Sequence, residues 1–498
     1  MKVFEGSAGS GKTTRLIEFV KEKLARIPEE RAVIVTFTRA AAKEFKQRAG
    51  LQNAFIGTLH SWALNFLRNW SHRIRLASNF TVEEAGRLSK LGVANPDAIL
   101  TFDDLIHRTC EALKQNEEIR RATQDSIGLL VCDEFQDFTQ EQAELIRLLI
   151  RGGQEIAIAF DERQSIFGWT DALGMRTRAW LQSLGNVEFE SLEKIYRFSE
   201  ARAKEVENAK AGAYPLCQVF LTKKEEAAFL KESLTSLIQR GTKPTDCAVL
   251  TRTRHRAIEL ANACGGNFPI ICSPKIHSLF DDSSIKGFLG VLKLALNKWD
   301  VVAACDAGAS FGVAPASVQF LAIDKGLDYR EAFLQACGIT NEQRQKFSLI
   351  RANEIENALS IAGDLITAGL MKTSDREIRS LLAFRNLLCD LLQKDDELRN
   401  GNLMSLLDYL VSPDFEFREE EAVTFSTIHK AKGREWKYVF IAGCEEFLPK
   451  HEPAQEDEER RLLFVSFSRA KEVCVLTCAI ERKKPPYFIR VNEKLCRE

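Results

Sequence analysis

The sequence predicts an α/β protein built on parallel sheets, and three observations carry that prediction. The short apolar run Ala32 to Phe37 reads as a strand buried on both faces, and Glu155 to Phe160 as a further strand. Segments of helical period separate them, the alternation that gives a parallel sheet with helices on both sides. A glycine-rich loop, Gly6 to Thr14, stands between the first short strand, Val3 and Phe4, and the first helical stretch.

That loop reads GSAGSGKTT and fits the phosphate-loop pattern with Gly6, Gly11, Lys12 and Thr13, while Ser7, Ala8, Gly9 and Ser10 span the interval and Thr14 follows. Leu16, Ile17, Phe19, Val20 and Leu24 then mark one face of a helix. Glycines let successive backbone N–H groups curl around a polyphosphate, and the helix N-terminus adds partial positive charge. Lys12 would reach the outer phosphates and the Thr13 hydroxyl would ligate Mg2+. A flexible glycine loop is the bland alternative, and the flanking strand and helix argue against it.

Composition bounds the rest. At 498 residues the chain implies roughly two to four domains. It is 45% hydrophobic and 28% charged, an ordinary globular balance. Lys plus Arg number 69 against 70 Asp plus Glu, so net charge offers no case for a nucleic-acid partner and any such case must be local. No apolar run reaches the roughly 18 residues of a membrane span, and the phosphate loop begins too early to leave room for a signal peptide, so a cytoplasmic protein without a membrane partner is expected. The thirteen Cys are scattered without a CxxC pair, which favours reduced core thiols over metal or disulfide use.

Along the chain, Phe55 to Leu67 follows as strand into helix, residues 71 to 100 are polar and weakly patterned, and a helix runs from Phe102 to about Arg121. Ile127 to Asp137, IGLLVCDEFQD, is a buried strand ending in acids, and the carboxyl ends of parallel strands are where such sheets present their chemistry. Asp133 would hold Mg2+ and Glu134 would orient and deprotonate an attacking water; a solvated loop start is the plainer reading. In DERQSIFGW, Asp161 to Trp169, Gln164 could bond a terminal phosphate. Phe167 and Trp169 could offer flat faces to bases, although aromatics at this spacing more often belong to a core.

The order of these motifs resembles the superfamily 1 helicases of the UvrD/Rep type over most of the chain. The resemblance continues through VTFTRAAAKEF (Val35 to Phe45), GTLHSWA (Gly57 to Ala63), LEKIYRFS (Leu192 to Ser199), TIHKAKGREWKYVFI (Thr427 to Ile441) and ERRLLFVSFSRAK (Glu459 to Lys471). It implies two RecA-like parallel-sheet lobes binding ATP and Mg2+. The first lobe would take 1–70 and 101–195 with a small 1B-like insertion at 71–100, and the second 196–274 and 416–498 with a helical 2B-like insertion at 275–415. By resemblance Tyr196 stacks on adenine, Arg197 meets the terminal phosphate, Arg469 is the arginine finger and Glu435 contacts the ribose. Single-stranded DNA contacts carry over to Phe37, Thr38, Thr58, His60, Trp169, Thr427 and His429, which moves Trp169 from core to base platform.

The chain departs from the family in places. Thr14 stands where the family has a stacking Arg, with Arg15 as a substitute; the upstream glutamine motif is absent; Thr170 and Asp171 follow Trp169 in place of Arg-Gly. The duplex-binding glycine motif has only an echo in FGVAPAS, Phe311 to Ser317, and there is no room for a nuclease domain, so any nuclease would be a separate subunit. The expectation is an ATP-dependent translocase moving 3' to 5' on single-stranded or tailed DNA, in repair or antiviral defence. The rival is a DNA- or nucleotide-sensing NTPase that gates a partner nuclease without processive unwinding.

Overall fold

Branched and aliphatic runs with no room for a polar face fold into the centre of parallel sheets, and this chain has two sets of them. The computed structural model describes residues 1–83, 86–87, 98–166, 171–273, 279–370, 375–411, 421–447, 453–481, 483–486 and 488–491. Its strands are β1 Lys2–Gly6, β2 Ala32–Thr36, β3 Phe55–Thr58, β4 Thr81–Val82, β5 Ile99–Leu100, β6 Leu129–Cys132 and β7 Glu155–Phe160. They continue with β8 Glu188–Leu192, β9 Gln218–Phe220, β10 Cys247–Thr251, β11 Ile270–Cys272, β12 Val423–Thr427, β13 Trp436–Ala442 and β14 Ala470–Ala479.

Six strands make the first sheet in the order β3-β2-β6-β7-β1-β8, and six make the second in the order β11-β12-β10-β13-β14-β9. Every pairing within each is parallel. The α/β expectation of two parallel-sheet lobes is therefore met. Strands β2, β6, β10 and β12 are buried along their whole length, as strands covered on both faces must be. On the first sheet, Leu16, Ile17, Phe19 and Val20 of helix Lys12–Leu24 pack with Phe4, Ile34, Leu129 and Val131, so the phosphate loop is pinned between a central strand and its own core-facing helix.

The two sheets repeat one local device. After β2, Thr36 Oγ1 donates to the Thr38 carbonyl at 2.8 Å, and Thr38 Oγ1 accepts the Ala41 N–H to cap helix Arg39–Ala49. After β10, Thr251 Oγ1 donates to the Thr253 carbonyl at 2.8 Å, and Thr253 Oγ1 accepts the Arg256 N–H to cap helix Arg254–Cys264. Each strand thus turns into its helix through a Thr-x-Thr corner that satisfies an orphan N–H group at the helix start.

The chain divides into two compact units, one of Met1–Trp62, Cys110–Lys275 and Arg418–Glu498, the other of Ala63–Thr109 and Ile276–Phe417. The first holds both six-stranded sheets. The second is built on helices from Ser283–Leu296 to Leu403–Val411 around Phe288, Leu292, Phe333, Leu359 and Phe384. Into the same unit pack β4 and β5, paired in parallel. Thr81 Oγ1 donates to Asp300 at 2.6 Å, Asn297 Nδ2 donates to the Ala98 carbonyl at 2.9 Å, and the Lys293 ammonium meets the Glu83 carboxylate with both side chains buried. The polar look of residues 71 to 100 thus hides buried charge and hydrogen bonding. No helix among the described residues is long and apolar enough to cross a membrane.

Candidate nucleotide site

Strand β1 ends at Gly6, and the chain turns through Gly9 (φ 77°) and Gly11 (φ 84°) into helix Lys12–Leu24. The left-handed backbone explains the glycines, and so does crowding. A Cβ on Gly9 would lie 2.6 Å from the Arg197 Cβ, and one on Gly11 would lie 3.6 Å from the Tyr196 ring. Lys12 is only 7% exposed. Its ammonium is folded back on the loop, donating to the Gly6 carbonyl at 2.9 Å and the Ser7 carbonyl at 3.4 Å, 4.0 Å from Asp161 Oδ2.

Thr13 Oγ1 donates to Asp133 Oδ2 at 2.7 Å, so the hydroxyl and carboxylate read as Mg2+ ligands from sequence lie side by side. Both oxygens are of the hard type a magnesium ion takes. Burial, reinforced by Glu134, pushes the Asp133 carboxyl above its usual range, and a bound cation would relieve that strain. The oxygen set fits the ion.

Asp133 and Glu134 follow the end of β6. Glu134 occupies left-handed backbone (φ 54°), a conformation that costs a non-glycine residue roughly 1–2 kcal/mol and turns its carboxylate out of the strand's direction. Burial alone would raise that carboxyl, but Lys12, Lys432, the hydrogen bond from Gln136 and Arg469 outweigh it and hold it ionised. Past β7, Asp161 accepts the Gln164 amide at 2.6 Å.

Groups of the second lobe complete the cluster. Arg469 Nη2 donates to Gln164 Oε1 at 2.9 Å, while its Nε donates to the Val465 carbonyl at 3.0 Å. The Arg469 guanidinium is buried, and burial with the neighbouring Arg197 brings its pKa down to about 10, leaving it charged near neutrality. Arg197 pairs with Glu435, which also meets Lys471 at 3.3 Å. Tyr196 is 68% exposed beside the loop, its N–H bonded to the Gly9 carbonyl at 2.8 Å. Arg15, expected to replace a stacking cation, is bound to Glu190 of β8 at 3.0 Å and to Glu18 at 3.1 Å.

The residues carried over as DNA contacts lie at the ends of β2, β3 and β12. Thr38 and Thr58 cap helices, Thr58 Oγ1 accepting the Ser61 N–H at 3.2 Å. Phe37 and His60 are half-buried, and Thr427 is buried at the start of helix Ile428–Ala431. Burial, then Arg252 and Lys432, push His429 down to about 4, so it is neutral near pH 7. Phe167 and Trp169 lie outside the described residues.

With these positions fixed, the comparison with known proteins decides the family. The model for the UvrD/REP helicase N-terminal domain matches residues 2–94 and 89–175, and that for the UvrD-like helicase C-terminal domain matches residues 189–481, more than half of the chain. The chain belongs to the UvrD-like helicase family. It is similar to the ATP-dependent DNA helicase PcrA of Staphylococcus aureus (strain Mu50), at 25% identity over 95% of this chain and 80% of the relative. The ATP-dependent DNA helicase PcrA of Staphylococcus epidermidis (strain ATCC 35984) is 24% identical over 95% of this chain and 81% of its own length. A Pif1 helicase structure from Candida albicans aligns with 100% of this chain and 94% of its own at 13% identity, with a TM-score of 0.38, too low to bear on the fold. Family membership makes this UvrD-like chain an ATP hydrolase of the DNA helicase class.

The family motifs left several site residues unassigned. Lys432 of the second lobe is buried, its ammonium 2.6 Å from the Asp137 carboxylate and bonded to the Gln164 carbonyl. Gln136, fully buried, lies between Glu134, Asp137 and the Asp161 N–H. Position within DEFQD and HKAKG was the only sequence signal for them, and it gives proximity to the acids without a partner across the cleft.

Proposed function

We propose that this UvrD-like protein is an ATP-driven motor that moves 3' to 5' along single-stranded DNA, with hydrolysis stimulated by the strand. The observation that carries the reading is the Arg469–Gln164 hydrogen bond, which brings a cation of the second lobe to the same cluster as Lys12, Thr13 and Glu134. One triphosphate lying across that cluster would be sensed by both lobes at once. Polarity rests on the family resemblance, and DNA as substrate is in keeping with the PcrA relatives named as DNA helicases.

In this reading the loop Gly6, Ser7, Ala8, Gly9, Ser10, Gly11 cradles the phosphates with its N–H groups, and Lys12 turns from the Gly6 and Ser7 carbonyls onto them. Thr13 and Asp133 would hold Mg2+, which would neutralise charge on the phosphates. Glu134 takes a proton from the attacking water, Gln164 and Arg197 meet the terminal phosphate, and Arg469 stabilises the charge that develops on it. Tyr196 stacks on the base, Glu435 contacts the ribose, and Thr14 borders the nucleotide from the first turn of the helix. Phe37, Thr38, Thr58, His60, Phe167, Trp169, Thr427 and His429 grip the strand, so cleft opening and closing alternates the hold of the two lobes.

The test is ATPase rate with single-stranded, duplex and tailed DNA, together with strand displacement from each tail polarity. Stimulation by single strands and displacement from 3'-tailed substrates alone are expected. Equal rates with and without DNA, or displacement from 5' tails, would overturn the motor reading. Trp169→Ala should spare basal hydrolysis and weaken stimulation, since each stacked base contributes about 1–3 kcal/mol.

A further inference from the structure

We propose that Gln136 is the positioning residue for Glu134 and that it makes this general base answer to Lys432 of the second lobe through Asp137. The inference rests on the reading of Glu134 as the base, and it goes beyond that reading by naming what holds the base and what can release it.

Gln136 is fully buried, so its amide must be satisfied by protein. Its Oε1 accepts the Asp161 N–H at 2.9 Å, which assigns the amide's orientation from the hydrogen-bond network. Nε2 is then the atom facing the acids, 2.5 Å from Glu134 Oε2 and 3.4 Å from Asp137 Oδ2. A carboxylate has no proton to give when ionised, so a donor locked against it fixes its direction as well as its charge. Glu134 needs such a hold, because its left-handed backbone places it on a turn rather than in the strand ladder.

Asp137 is the other half of the arrangement. Its carboxylate takes the Lys432 ammonium at 2.6 to 2.7 Å, and Lys432 also donates to the Gln164 carbonyl. Lys432 follows Thr427 and His429 on the segment read as a strand contact. While the second lobe is closed, Lys432 fixes Asp137, and the Gln136 amide gives its short bond to Glu134 and its longer one, at 3.4 Å, to Asp137. When Lys432 withdraws, Asp137 is released from the cation that fixes it, the Gln136 amide bonded to it is free to shift, and the bond that aims Glu134 is no longer held in one geometry. Hydrolysis is thereby confined to the closed state.

The test is a double-mutant cycle read by ATPase rate and by binding of a non-hydrolysable ATP analogue. Gln136→Met keeps the length and removes both donor and acceptor. It should lower kcat by about 10-fold or more while KM and analogue affinity stay within about 2-fold, a split that a general loosening of the fold would not give. In a Glu134→Gln background the same substitution should cost no further rate. Lys432→Met and Gln136→Met should likewise be non-additive in kcat. A kcat within about 2-fold of the parent, or an equal loss in both Glu134 backgrounds, overturns the proposal. Should Gln136→Met disturb folding, Gln136→Asn serves in its place: it keeps a neutral amide but is one methylene too short to meet the Asp161 N–H and Glu134 together, and the same cycle decides. If Glu134→Gln alone leaves turnover intact, it is the assignment of the base that fails.

Discussion

The Arg469 guanidinium donates to Gln164 Oε1 at 2.9 Å, and Gln164 in turn donates to Asp161 at 2.6 Å, 4.0 Å from the Lys12 ammonium. Arg469 belongs to the turn between helix Pro453–Phe467 and β14 of the second sheet; Gln164 and Asp161 follow β7 of the first. A cation beside one sheet is therefore linked through two side-chain hydrogen bonds and an ion pair to the phosphate loop of the other. Its own backbone anchor, Nε on the Val465 carbonyl at 3.0 Å, fixes the guanidinium before any nucleotide arrives. Pre-organised charge of this kind acts on developing charge without reorganisation in the reacting state.

Arg469→Ala is expected to cut kcat by about 10³-fold or more, the range for removing an arginine finger, with analogue affinity changed far less. Steady-state ATPase measured beside analogue binding checks it. Comparable losses in both would make Arg469 a binding group and not a stabiliser of the transferring phosphoryl.

Glu134→Gln should bind ATP and fail to turn it over, with a loss of roughly 10²–10⁴-fold in kcat for a missing general base. The substitution keeps an acceptor for the Gln136 amide, so the site should stay folded. A single-turnover assay separates a stalled chemical step from slow product release, and normal single-turnover hydrolysis would exclude Glu134 as base.

How far the sequence reached depended on whether a residue's partner was local. Gly9 and Gly11, Lys12, Thr13 and Asp133 are legible because loop, strand end and helix start are each a few residues long and their chemistry shows in the residue types. The parallel sheets followed from wholly buried, largely apolar strands such as β2 and β6. Lys432 with Asp137 is a different case. The two are 295 residues apart, and nothing in either segment names the other. Likewise residues 71 to 100 read as polar and weakly patterned, because nothing in the sequence marks Glu83 as buried until Lys293 is seen against it. The pairing of Arg15 with Glu190 on the edge strand is another that spacing on helix Lys12–Leu24 could not reveal.

Glu83 and Lys293 give a stability prediction for the helical unit. Both side chains are buried, and Arg87 also reaches Glu83 at 3.0 Å. Lys293→Met leaves Glu83 with only its partly exposed partner and should destabilise the unit by about 3 kcal/mol. Adding Glu83→Gln should restore most of that, since removing both charges avoids an uncompensated one. Hydrogen exchange in helix Ser283–Leu296 reads both effects; equal exchange in the single and double variants would refute the coupling.

Glu445 gives a pH prediction away from the nucleotide site. It is buried just past β13, with Oε2 accepting the Ala479 N–H at 3.0 Å and Oε1 without a hydrogen-bond partner among the described residues. Burial, then the Glu226 carboxylate, lift its pKa from about 4.5 to about 7; Arg256 opposes this weakly because it is already bound to Glu226 and Glu259. Between those values the folded chain keeps a proton that the unfolded chain has released. Stability linked to this group is therefore complete below about pH 4.5, declines as pH rises through 7 and is level above it. Glu445→Gln retains a carbonyl for the Ala479 N–H and has no proton to lose. Relative to the parent it should gain on the order of 1–3 kcal/mol at pH 8 and much less at pH 5. Thermal melts at the two pH values decide: a difference that does not grow with pH would mean that the Glu445 carboxyl is ionised in the fold and held by a cation.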